Sequence, residues 1–460
     1  MAKSATTMET IANLAKRRGF LFQGSEIYGG LQGTYDYGHY GILLKNNVRD
    51  SWWKSMVQRH ENIVGLDAAI LMHPKTWEAS GHTATFADAL VDDKISKKRY
   101  RADHLIEEQL GTQVEGLSNE DLTKIFQEND LKTPEGKKAE WTDVRSFNLM
   151  FKTYAGTLED EKSTVYLRPE TAQGIFVNFK EIQATTRKKL PFGIAQVGKM
   201  FRNEITPGKF IFRLREFEAM EMEFFCHPDE ASKWHDYWLE ERMRWRIEDL
   251  GVAKERLRLR EHTKEELSHY SSRTLDVDYE FPFGFSEVEG IANRGDFDLT
   301  AHMKGSGKDL TYFDDESGKA ITPHVIEPAA GLDRNVFMVL CDAYTEEPDE
   351  KGDSRVVLKL KPSLAPIKAA VLPLMKKPEL QKAAIAVRDG LAGQFMTEYD
   401  ETGSVGKRYR RQDEIGTPYC VTVDFDTLED KSATVRDRDS QKQDRIKIAD
   451  LPSYLADKLA

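Results

Sequence analysis

Two apolar, strand-forming runs between positions 191 and 228 carry charged side chains in an ordered alternation. The polar segment 205–209 separates them, so the pattern predicts a β-hairpin. Because alternate residues of a strand share a face, we expect Arg202 and Glu204 to lie together on the first strand. On the second strand one face should carry Arg213, Arg215, Phe217, Ala219, Glu221 and Glu223, and the other Met220, Met222 and Phe224.

The charged face has the residue types that bind a nucleotide together with an amino acid. Arginine pairs with phosphate through two parallel hydrogen bonds. A phenylalanine among charges offers a surface for a flat ring, and carboxylates accept from an ammonium group or an exocyclic amine. The alternative is an exposed antiparallel sheet held by salt bridges. The opposite face, with its methionines and phenylalanine, is predicted to be core.

Three other predicted strand ends offer charged groups that could join this hairpin. Glu170 stands where a helix should begin. Glu287 and Glu289 alternate along a strand, so we expect them to share a face. Glu327 belongs to a strand, and Arg334 opens the helix after it, where free backbone N–H groups attract anions.

Length and composition favour a multidomain enzyme of a reducing compartment. The chain has 460 residues, enough for two or three domains, with 40% hydrophobic and 31% charged residues. A formal charge of −11 disfavours coating of nucleic acid by bulk charge, although a local basic patch can still bind RNA. The three cysteines are far apart, so no disulfide framework is expected. No signal core or membrane-length run stands out, which predicts a cytoplasmic protein that does not contact a membrane.

Changes in composition divide the chain. Residues 86–164 are more charged and less apolar than their surroundings and look like an insertion; their basic run 94–101 could touch RNA or simply be a solvated face. An acidic, turn-rich segment, 345–354, precedes a small α/β domain. There, positions 403–411 place cations around a tyrosine, which could contact an RNA base and phosphates or form a plain surface loop. The glycine-rich stretch 24–41 lacks the ending of a phosphate loop and favours an irregular, ordered loop.

The order of these elements resembles the three signature motifs of class II aminoacyl-tRNA synthetases. The helix at 42–56 and the strand ending at Pro74 resemble the first motif, FRNE at 201–204 with Phe217 the second, and GLDR at 331–334 the third. Longer stretches, including WEASGH, RYRADHL, LRPETAQGIFVNFK, FRLREFEAMEMEFF and VIEPAAGLDR, are similar to the dimeric, bacterial type of glycyl-tRNA synthetase. The resemblance covers nearly the whole chain.

That resemblance implies an α+β fold in which helices flank an antiparallel sheet, with ATP bound on the sheet. Residues 1–85 and 165–345 would form the catalytic domain, 86–164 an insertion that contacts the tRNA acceptor arm, and 346–460 an α/β domain that binds the anticodon. The implied reaction attaches glycine to tRNA(Gly) through glycyl-adenylate, with Mg²⁺ as cofactor and a homodimer as the assembly.

The resemblance also implies roles around ATP. Arg202 and Arg334 would be catalytic, holding the α-phosphate and the γ-phosphate or ring, respectively. Glu204 would bind the adenine amino group, Phe217 would stack on adenine, and Glu287 would bind Mg²⁺ together with the phosphates. The full implied set for ATP is Arg202, Asn203, Glu204, Phe212, Arg213, Leu214, Arg215, Glu216, Phe217, Glu287, Val288, Gly331, Leu332, Asp333 and Arg334.

For glycine, the resemblance implies that Glu170, Glu221 and Glu327 surround the ammonium group. Arg294 and Arg101 are further implied substrate contacts. The full implied set is Arg101, Glu170, Phe217, Glu218, Ala219, Met220, Glu221, Arg294, Glu327, Pro328, Ala329, Ala330 and Gly331. Since no amino acid is smaller than glycine, the pocket needs only to exclude larger side chains, and no editing domain is expected.

The sequence departs from its relatives at three places. His39 stands where relatives commonly have proline, and Ala329 where they often have serine, which removes one polar contact near the substrate. Some relatives carry a Cys-x-x-Cys pair where this chain has Asp93 and Ser96, so no zinc is expected.

Two other functions fit parts of the pattern. A non-catalytic paralogue would bind tRNA or a protein only, but the presence of Arg202, Glu204 and Arg334 argues against it. An adenylate-forming enzyme that does not use tRNA is disfavoured by the basic segment of the C-terminal domain.

Overall fold

A computed structural model describes residues 7–459 except 113, 115, 265, 269, 316 and 349–353. Its α-helices within these residues are α1 Met8–Arg17, α2 His39–Trp53, α3 Pro74–Ala79, α4 His82–Thr85, α5 Ala102–Leu110, α6 Asn119–Glu128, α7 Ala172–Val177, α8 Phe179–Thr186, α9 Ala231–Arg244, α10 Phe297–Ser306, α11 Leu332–Ala343, α12 Pro378–Ala392, α13 Val405–Ile415, α14 Phe425–Asp430 and α15 Leu451–Leu459.

The β-strands of the described residues belong to several sheets. They are β1 Leu21–Gln23, β2 Tyr35–Tyr37, β3 Ile63–Gly65, β4 Ala87–Asp92, β5 Arg99–Arg101, β6 Arg145–Asn148, β7 Lys152–Tyr154, β8 Thr164–Tyr166, β9 Phe192–Phe201, β10 Glu216–Cys226, β11 Leu257–Glu261, β12 Arg273–Phe281, β13 Gly284–Gly295, β14 Tyr312–Asp314, β15 Lys319–Ile321, β16 His324–Gly331, β17 Tyr344–Pro348, β18 Ser354–Leu358, β19 Ala369–Pro373, β20 Thr397–Tyr399, β21 Tyr419–Val423, β22 Ser432–Asp437 and β23 Gln443–Lys447.

A seven-stranded sheet forms the centre of the molecule, in the order β11-β12-β13-β16-β10-β9-β3. Only the edge pair β3 and β9 runs parallel, and every other neighbouring pair in this sheet is antiparallel. The expected α+β fold with an antiparallel-rich sheet is confirmed. The strand that was expected to run on to Pro74 is shorter than predicted. It is β3, which ends at Gly65.

One face of this sheet is the main hydrophobic core, as the alternation predicted. Met220, Met222 and Phe224 are completely buried there, beneath α9 and α11, and α2 packs on α11. Burial of each such side chain contributes about 1.5–3 kcal/mol. The periodicity that predicted α2 is also confirmed, since Leu44, Val48 and Trp52 are all fully buried.

The predicted insertion contains a small sheet, β5-β4-β6, with α5 and α6 and its own apolar cluster. Asp93, at the place of a cysteine in some relatives, is buried here. Its carboxylate accepts from the backbone N–H groups of Ile95, Ser96 and Glu140 at 3.0–3.1 Å. Both oxygens of this carboxylate therefore stabilise the loop by accepting backbone hydrogen bonds.

Another sheet, with five strands in the order β20-β19-β21-β22-β23, forms the C-terminal region together with α12–α15. The cationic segment 403–411 is not a plain loop, because α13 occupies most of it. Arg408 is buried and donates to the Gly403 carbonyl at 2.7 Å, and the Tyr409 hydroxyl bonds Thr422 at 2.6 Å. Part of the predicted acidic linker pairs as β17 and β18, and positions 349–353 lie outside the described residues.

The N-terminal helices dock on the C-terminal region through polar contacts. Arg18 binds Glu414 at 2.5 Å, and the Tyr40 hydroxyl donates to Glu398 at 2.7 Å. Within the described residues, we find no helix that combines the length and the apolar character needed to span a membrane.

Candidate active site

The connection between β9 and β10 is longer than predicted. Strand β9 ends at Phe201 and β10 begins at Glu216, so Arg202 and Glu204 do not lie on the first strand. Arg213 and Arg215 likewise precede the second strand. The prediction that strand alternation orients these four residues is therefore wrong.

The sequence between the two strands explains the long loop. Pro207 has no N–H to donate to a strand ladder, and Lys209 and Phe210 have positive φ angles of 55° and 59°. Gly208 and Arg213 instead exchange backbone hydrogen bonds of 3.0 and 3.2 Å, which close a tight turn inside the loop.

This loop and the face of the sheet opposite the hydrophobic core, which we call the site face, enclose an open cleft. Its volume is about 690 Å³, including space open to solvent. Most residues implied for ATP line it: Arg202, Glu204, Phe212, Arg213, Leu214, Phe217, Glu287, Gly331, Asp333 and Arg334. Of those implied for glycine, the lining includes Phe217, Glu218, Ala219, Glu221, Ala329, Ala330 and Gly331.

Several implied residues lie elsewhere. Asn203, Arg215 and Glu216 line a separate groove beside Phe151 and Leu167, because the chain turns away from the cleft on both sides of the loop. The residues Met220, Val288 and Leu332 are completely buried in the hydrophobic core. Pro328 is also buried, one position from Glu327 and therefore on the other face of β16.

Arg202 sits in an aromatic sandwich at the centre of the cleft. Its guanidinium lies 5.3 Å from the Phe86 ring centroid and 5.6 Å from that of Phe217, at cation–π distance. Its Nε donates to the Pro169 carbonyl at 3.1 Å. These contacts fix the arginine, and its remaining N–H groups have no carboxylate partner within 4.0 Å among the described residues, so they can meet an anion.

Arg334 occupies the first turn of α11, as predicted. It donates to the Phe212 carbonyl at 3.1 Å and stacks at 4.5 Å over the Phe212 ring. Its Nη1 contacts both the carbonyl and the carboxylate of Glu287 at 3.2 Å. Although burial opposes ionisation of Glu287, the charge of Arg334 outweighs it and lowers the pKa of this carboxyl.

Glu287 and Glu289 do not share a face, contrary to the sequence prediction. The register pairs Glu289 with Val277 but Glu287 with Asp278, so β13 carries one extra residue at this point. Such a bulge reverses the alternation. Glu287 consequently lines the cleft, whereas Glu289 is completely buried in the core.

Beside the cleft, carboxyl groups gather from three elements. Glu221, on β10, accepts from the backbone N–H of Thr171 at 2.8 Å and from the Thr171 hydroxyl. Glu170, just before α7, contacts His82 at 3.2 Å and accepts from Gln173 at 2.8 Å. Thr171 occupies the residue before α7, at the helix start that the sequence predicted beside Glu170.

Arg294 binds the third part of this cluster. Its Nη1 donates to both oxygens of Glu327 at 3.1 and 3.0 Å, and its Nε and Nη2 donate to Asp298 at 2.7 and 2.8 Å. All three side chains are nearly inaccessible to solvent. The guanidinium thus bridges two carboxylates with four hydrogen bonds.

The environment separates the pKa values of these acids. Burial raises the pKa of Glu327 to about 7 and, with the charge of Glu170, raises that of Glu221. For Glu170 burial acts in the same direction, but His82, Arg294 and Gln173 outweigh it and lower the pKa. A cation entering the cluster would favour ionisation of all of them.

Two implied contacts have structural partners instead. Arg101 belongs to the insertion and pairs with Asp88 at 3.1 Å and with Asp103 at 2.5 Å, so the structure does not bring it into the carboxylate cluster. Asp333 accepts from the Tyr37 hydroxyl at 2.5 Å and from the Glu218 N–H at 2.7 Å, which ties α11 to β10.

Sequence reasoning missed residues that hold the acids. Thr171, Gln173 and His82 had a signal, since they stand in the PETAQG and WEASGH stretches singled out above. Asp298 lies four residues after Arg294 but on α10 rather than on β13, so it had no distinct sequence signal. His39, one of the three departures, opens α2 and packs on the Tyr40 ring with 4.2 Å between centroids.

Comparison with known proteins agrees with this geometry. The family model described as the tRNA synthetase class II core domain (G, H, P, S and T) matches residues 151–343, and an anticodon binding domain matches 368–458. The fold is therefore that of a class II aminoacyl-tRNA synthetase.

The names of similar proteins indicate which family of class II synthetases the chain belongs to. Proteins named glycine–tRNA ligase are 54% identical in Macrococcus caseolyticus, 56% in Acetivibrio thermocellus and 55% in Geobacillus thermodenitrificans, and each alignment covers 98–99% of this chain and 98% of the relative. The chain belongs to the glycine–tRNA ligase family.

Proposed function

We propose that the cleft binds ATP against the hairpin loop and α11 and binds glycine in the carboxylate cluster. The enzyme uses ATP to attach glycine to the 3′ end of tRNA(Gly), through glycyl-adenylate. The observation that carries this placement is a cluster of buried carboxyl groups beside an arginine-lined cleft. Arg202, Arg334 and Glu221 line the cleft. Glu170 and Glu327 lie close enough to Glu221 for their charges to interact.

In this arrangement the glycine carboxylate attacks the α-phosphorus of ATP and pyrophosphate leaves. Arg202 stabilises the charge that develops on the α-phosphate, and Arg334 that of the γ-phosphate. Phe217 carries the adenine and Glu204 accepts from its amino group. Alignment of two bound reactants supplies roughly 7–11 kcal/mol in favourable cases, so no covalent enzyme intermediate is needed.

Glu287 is the residue that fits a divalent cation. Its carboxylate lines the cleft and its lowered pKa keeps it ionised. The described residues contain no group of three or more potential ligands, which suits Mg²⁺, a cation that binds one or two carboxylates together with substrate phosphates. When bound, Mg²⁺ neutralises phosphate charge.

The ammonium group of glycine lies among Glu170, Glu221 and Glu327. These acids are held by Thr171, Gln173, His82 and Arg294, so their oxygens are positioned before the substrate arrives. Preorganised charge of this kind strengthens an interaction without reorganisation during binding.

The remaining assignments concern the whole assembly. Residues 1–85 with 165–345 form the catalytic domain, 86–164 contacts the acceptor arm, and 346–460 binds the anticodon. The match of an anticodon binding domain to 368–458 supports the last assignment. We further infer a homodimer in the cytoplasm, which light scattering of the purified protein and cell fractionation would test.

Amino-acid-dependent ATP–pyrophosphate exchange tests the proposal. Glycine should support exchange, and alanine and serine should not. Arg334→Ala should slow exchange by roughly 10²–10³-fold, as expected for loss of one charge-stabilising donor. Arg49→Ala, on α2 outside the cleft, is the matched control and should behave as the parent. Absence of exchange with glycine would refute the proposal.

A further inference from the structure

Glu223 is a buried carboxyl group for which the proposed mechanism has no use. It lies on β10 two residues after Glu221, on the same face, and it is completely inaccessible to solvent. The antiparallel register that pairs Phe224 with Ile326 places Glu223 opposite Glu327. On its other side, β9 presents the apolar residue Ile194.

The hydrogen bonding of Glu223 differs from that of its neighbours. Each of the other acids of the cluster accepts from at least one donor: Glu170 from Gln173, Glu221 from Thr171, Glu327 from Arg294 and Asp298 from Arg294. Neither oxygen of Glu223 has a hydrogen-bond partner among the described residues.

The charges that face Glu223 come from every element around it. Glu221 lies on its own strand, Glu327 on β16, and Asp298 on α10. These groups are acidic, and Arg294 on β13 is the cation that acts on the site. Arg294 directs its four hydrogen bonds to Glu327 and Asp298 and none to Glu223.

An ionised carboxylate in such a place would be unfavourable. A buried charge without a donor costs several kcal/mol, and an acid in this position keeps its proton instead. Burial, followed by the charge of Glu327, raises the pKa of Glu223 well above its ordinary value. A neutral carboxyl group has an O–H donor, and directly opposite residues of antiparallel strands have Cβ atoms about 4.5–5.5 Å apart.

We propose that Glu223 and Glu327 hold a single proton between them in the active enzyme, with Glu223 as the neutral acid that donates to the Glu327 carboxylate. Glu223 is then a positioning residue. It orients Glu327 from the neighbouring strand β10, while Arg294 binds the same carboxylate from β13. Glu327 therefore stays charged for the ammonium group. This inference rests on the proposed placement of glycine.

Two substitutions at Glu223 distinguish the effect of its hydrogen-bond donor from the effect of its charge. Glu223→Gln keeps the shape and an N–H donor, so its KM for glycine in ATP–pyrophosphate exchange should stay within about threefold of the parent. Glu223→Met has no donor, and loss of a hydrogen bond to a charged group should raise this KM roughly ten- to hundredfold. The KM for ATP should not change in either variant.

The KM for ATP and the infrared spectrum distinguish this role from a purely structural one. An unchanged KM for ATP in Glu223→Met shows that the cleft is still folded when the donor is lost. The parent protein should show the infrared carbonyl band of a buried protonated carboxylic acid at pH 7.5, and Glu223→Gln should lack it. This spectral test needs neither glycine nor a folded methionine variant.

Three results would overturn the inference. The first is a glycine KM that rises in Glu223→Gln as much as in Glu327→Gln, because Glu223 would then act as a charge. The second is an unchanged glycine KM in Glu223→Met. The third is the absence of the protonated carboxyl band in the parent. Failure of the glycine placement itself would look different: Glu221→Gln and Glu327→Gln would both leave the glycine KM unchanged.

Discussion

Two buried ionic clusters lie on opposite faces of the same sheet, and their charges are balanced differently. On the core face, Glu289 accepts from Arg242 at 2.8 Å and from Arg246, and all three side chains are fully buried. On the site face, Arg294 serves both Glu327 and Asp298, while Glu170, Glu221 and Glu223 lie nearby.

The comparison shows how burial can serve stability or binding. The core cluster has two cations for one carboxylate, and both oxygens of Glu289 are occupied, so it has no use for another cation. The site cluster has more acids than cations, and burial raises the pKa values of several of them. In the proposed function, the ammonium group of glycine corrects that imbalance.

Removal of the core carboxylate should have the largest effect on stability. Glu289→Ala leaves Arg242 and Arg246 buried without their carboxylate partner, which typically costs about 3–5 kcal/mol. Urea unfolding should therefore show a large fall in the free energy of unfolding. Glu248→Ala, which removes an exposed partner of Arg244, is the control and should change it by less than about 1 kcal/mol. Equal effects of the two substitutions would remove the basis of the comparison.

The acids of the site cluster should make the KM for glycine depend on pH. The pKa of Glu327 is about 7 in the folded protein, above its ordinary value of 4.5. The KM for glycine should therefore rise by up to about tenfold for each pH unit below 7 and be constant above it. Glu327→Gln should have a higher KM that does not vary over this range.

The same shift has a consequence for folding. Because the folded state binds this proton more tightly, its contribution to stability is fully present below pH 4.5 and is lost as pH rises through 7. The free energy of unfolding of Glu327→Gln should fall less than that of the parent between these values. Parallel curves for the two proteins would contradict the account.

A small effect is expected at Ala329, which lines the cleft opposite Glu221 in the strand register. Ala329→Ser adds a hydroxyl group that can donate to a carboxylate there. A hydrogen bond contributes about 0.5–1.5 kcal/mol, so the KM for glycine should fall roughly two- to tenfold. Ala392→Ser, at an exposed helix position, is the control. A higher KM in Ala329→Ser would show that the cleft lacks room for the hydroxyl.

Sequence patterns located much of this site but not its finer geometry. Alternation correctly predicted the core face of β10, and helix-start signals correctly placed Glu170 and Arg334. The separation of Glu287 from Glu289 could not be foreseen, because one extra residue in β13 has no distinct sequence signal. A pattern with period two is reversed by any such bulge.

The hairpin loop was misjudged for a different reason. Pro207 marked a turn, but the extent of the loop depends on distant contacts. The backbone N–H of Arg215 donates to the Gly33 carbonyl, and its side chain binds the carbonyl groups of Gln32 and Glu204. These tertiary contacts draw the chain out of the strand, and local propensity contains no information about them.

The most direct test of the central claim is the glycine dependence of ATP–pyrophosphate exchange in Glu221→Gln. Loss of one charged partner at a buried ionic contact should raise the glycine KM by roughly thirtyfold or more, with the ATP KM unchanged. Glu216→Gln, on the same strand but outside the cleft, should match the parent. An unchanged glycine KM in Glu221→Gln would contradict the assignment of the carboxylate cluster to the ammonium group.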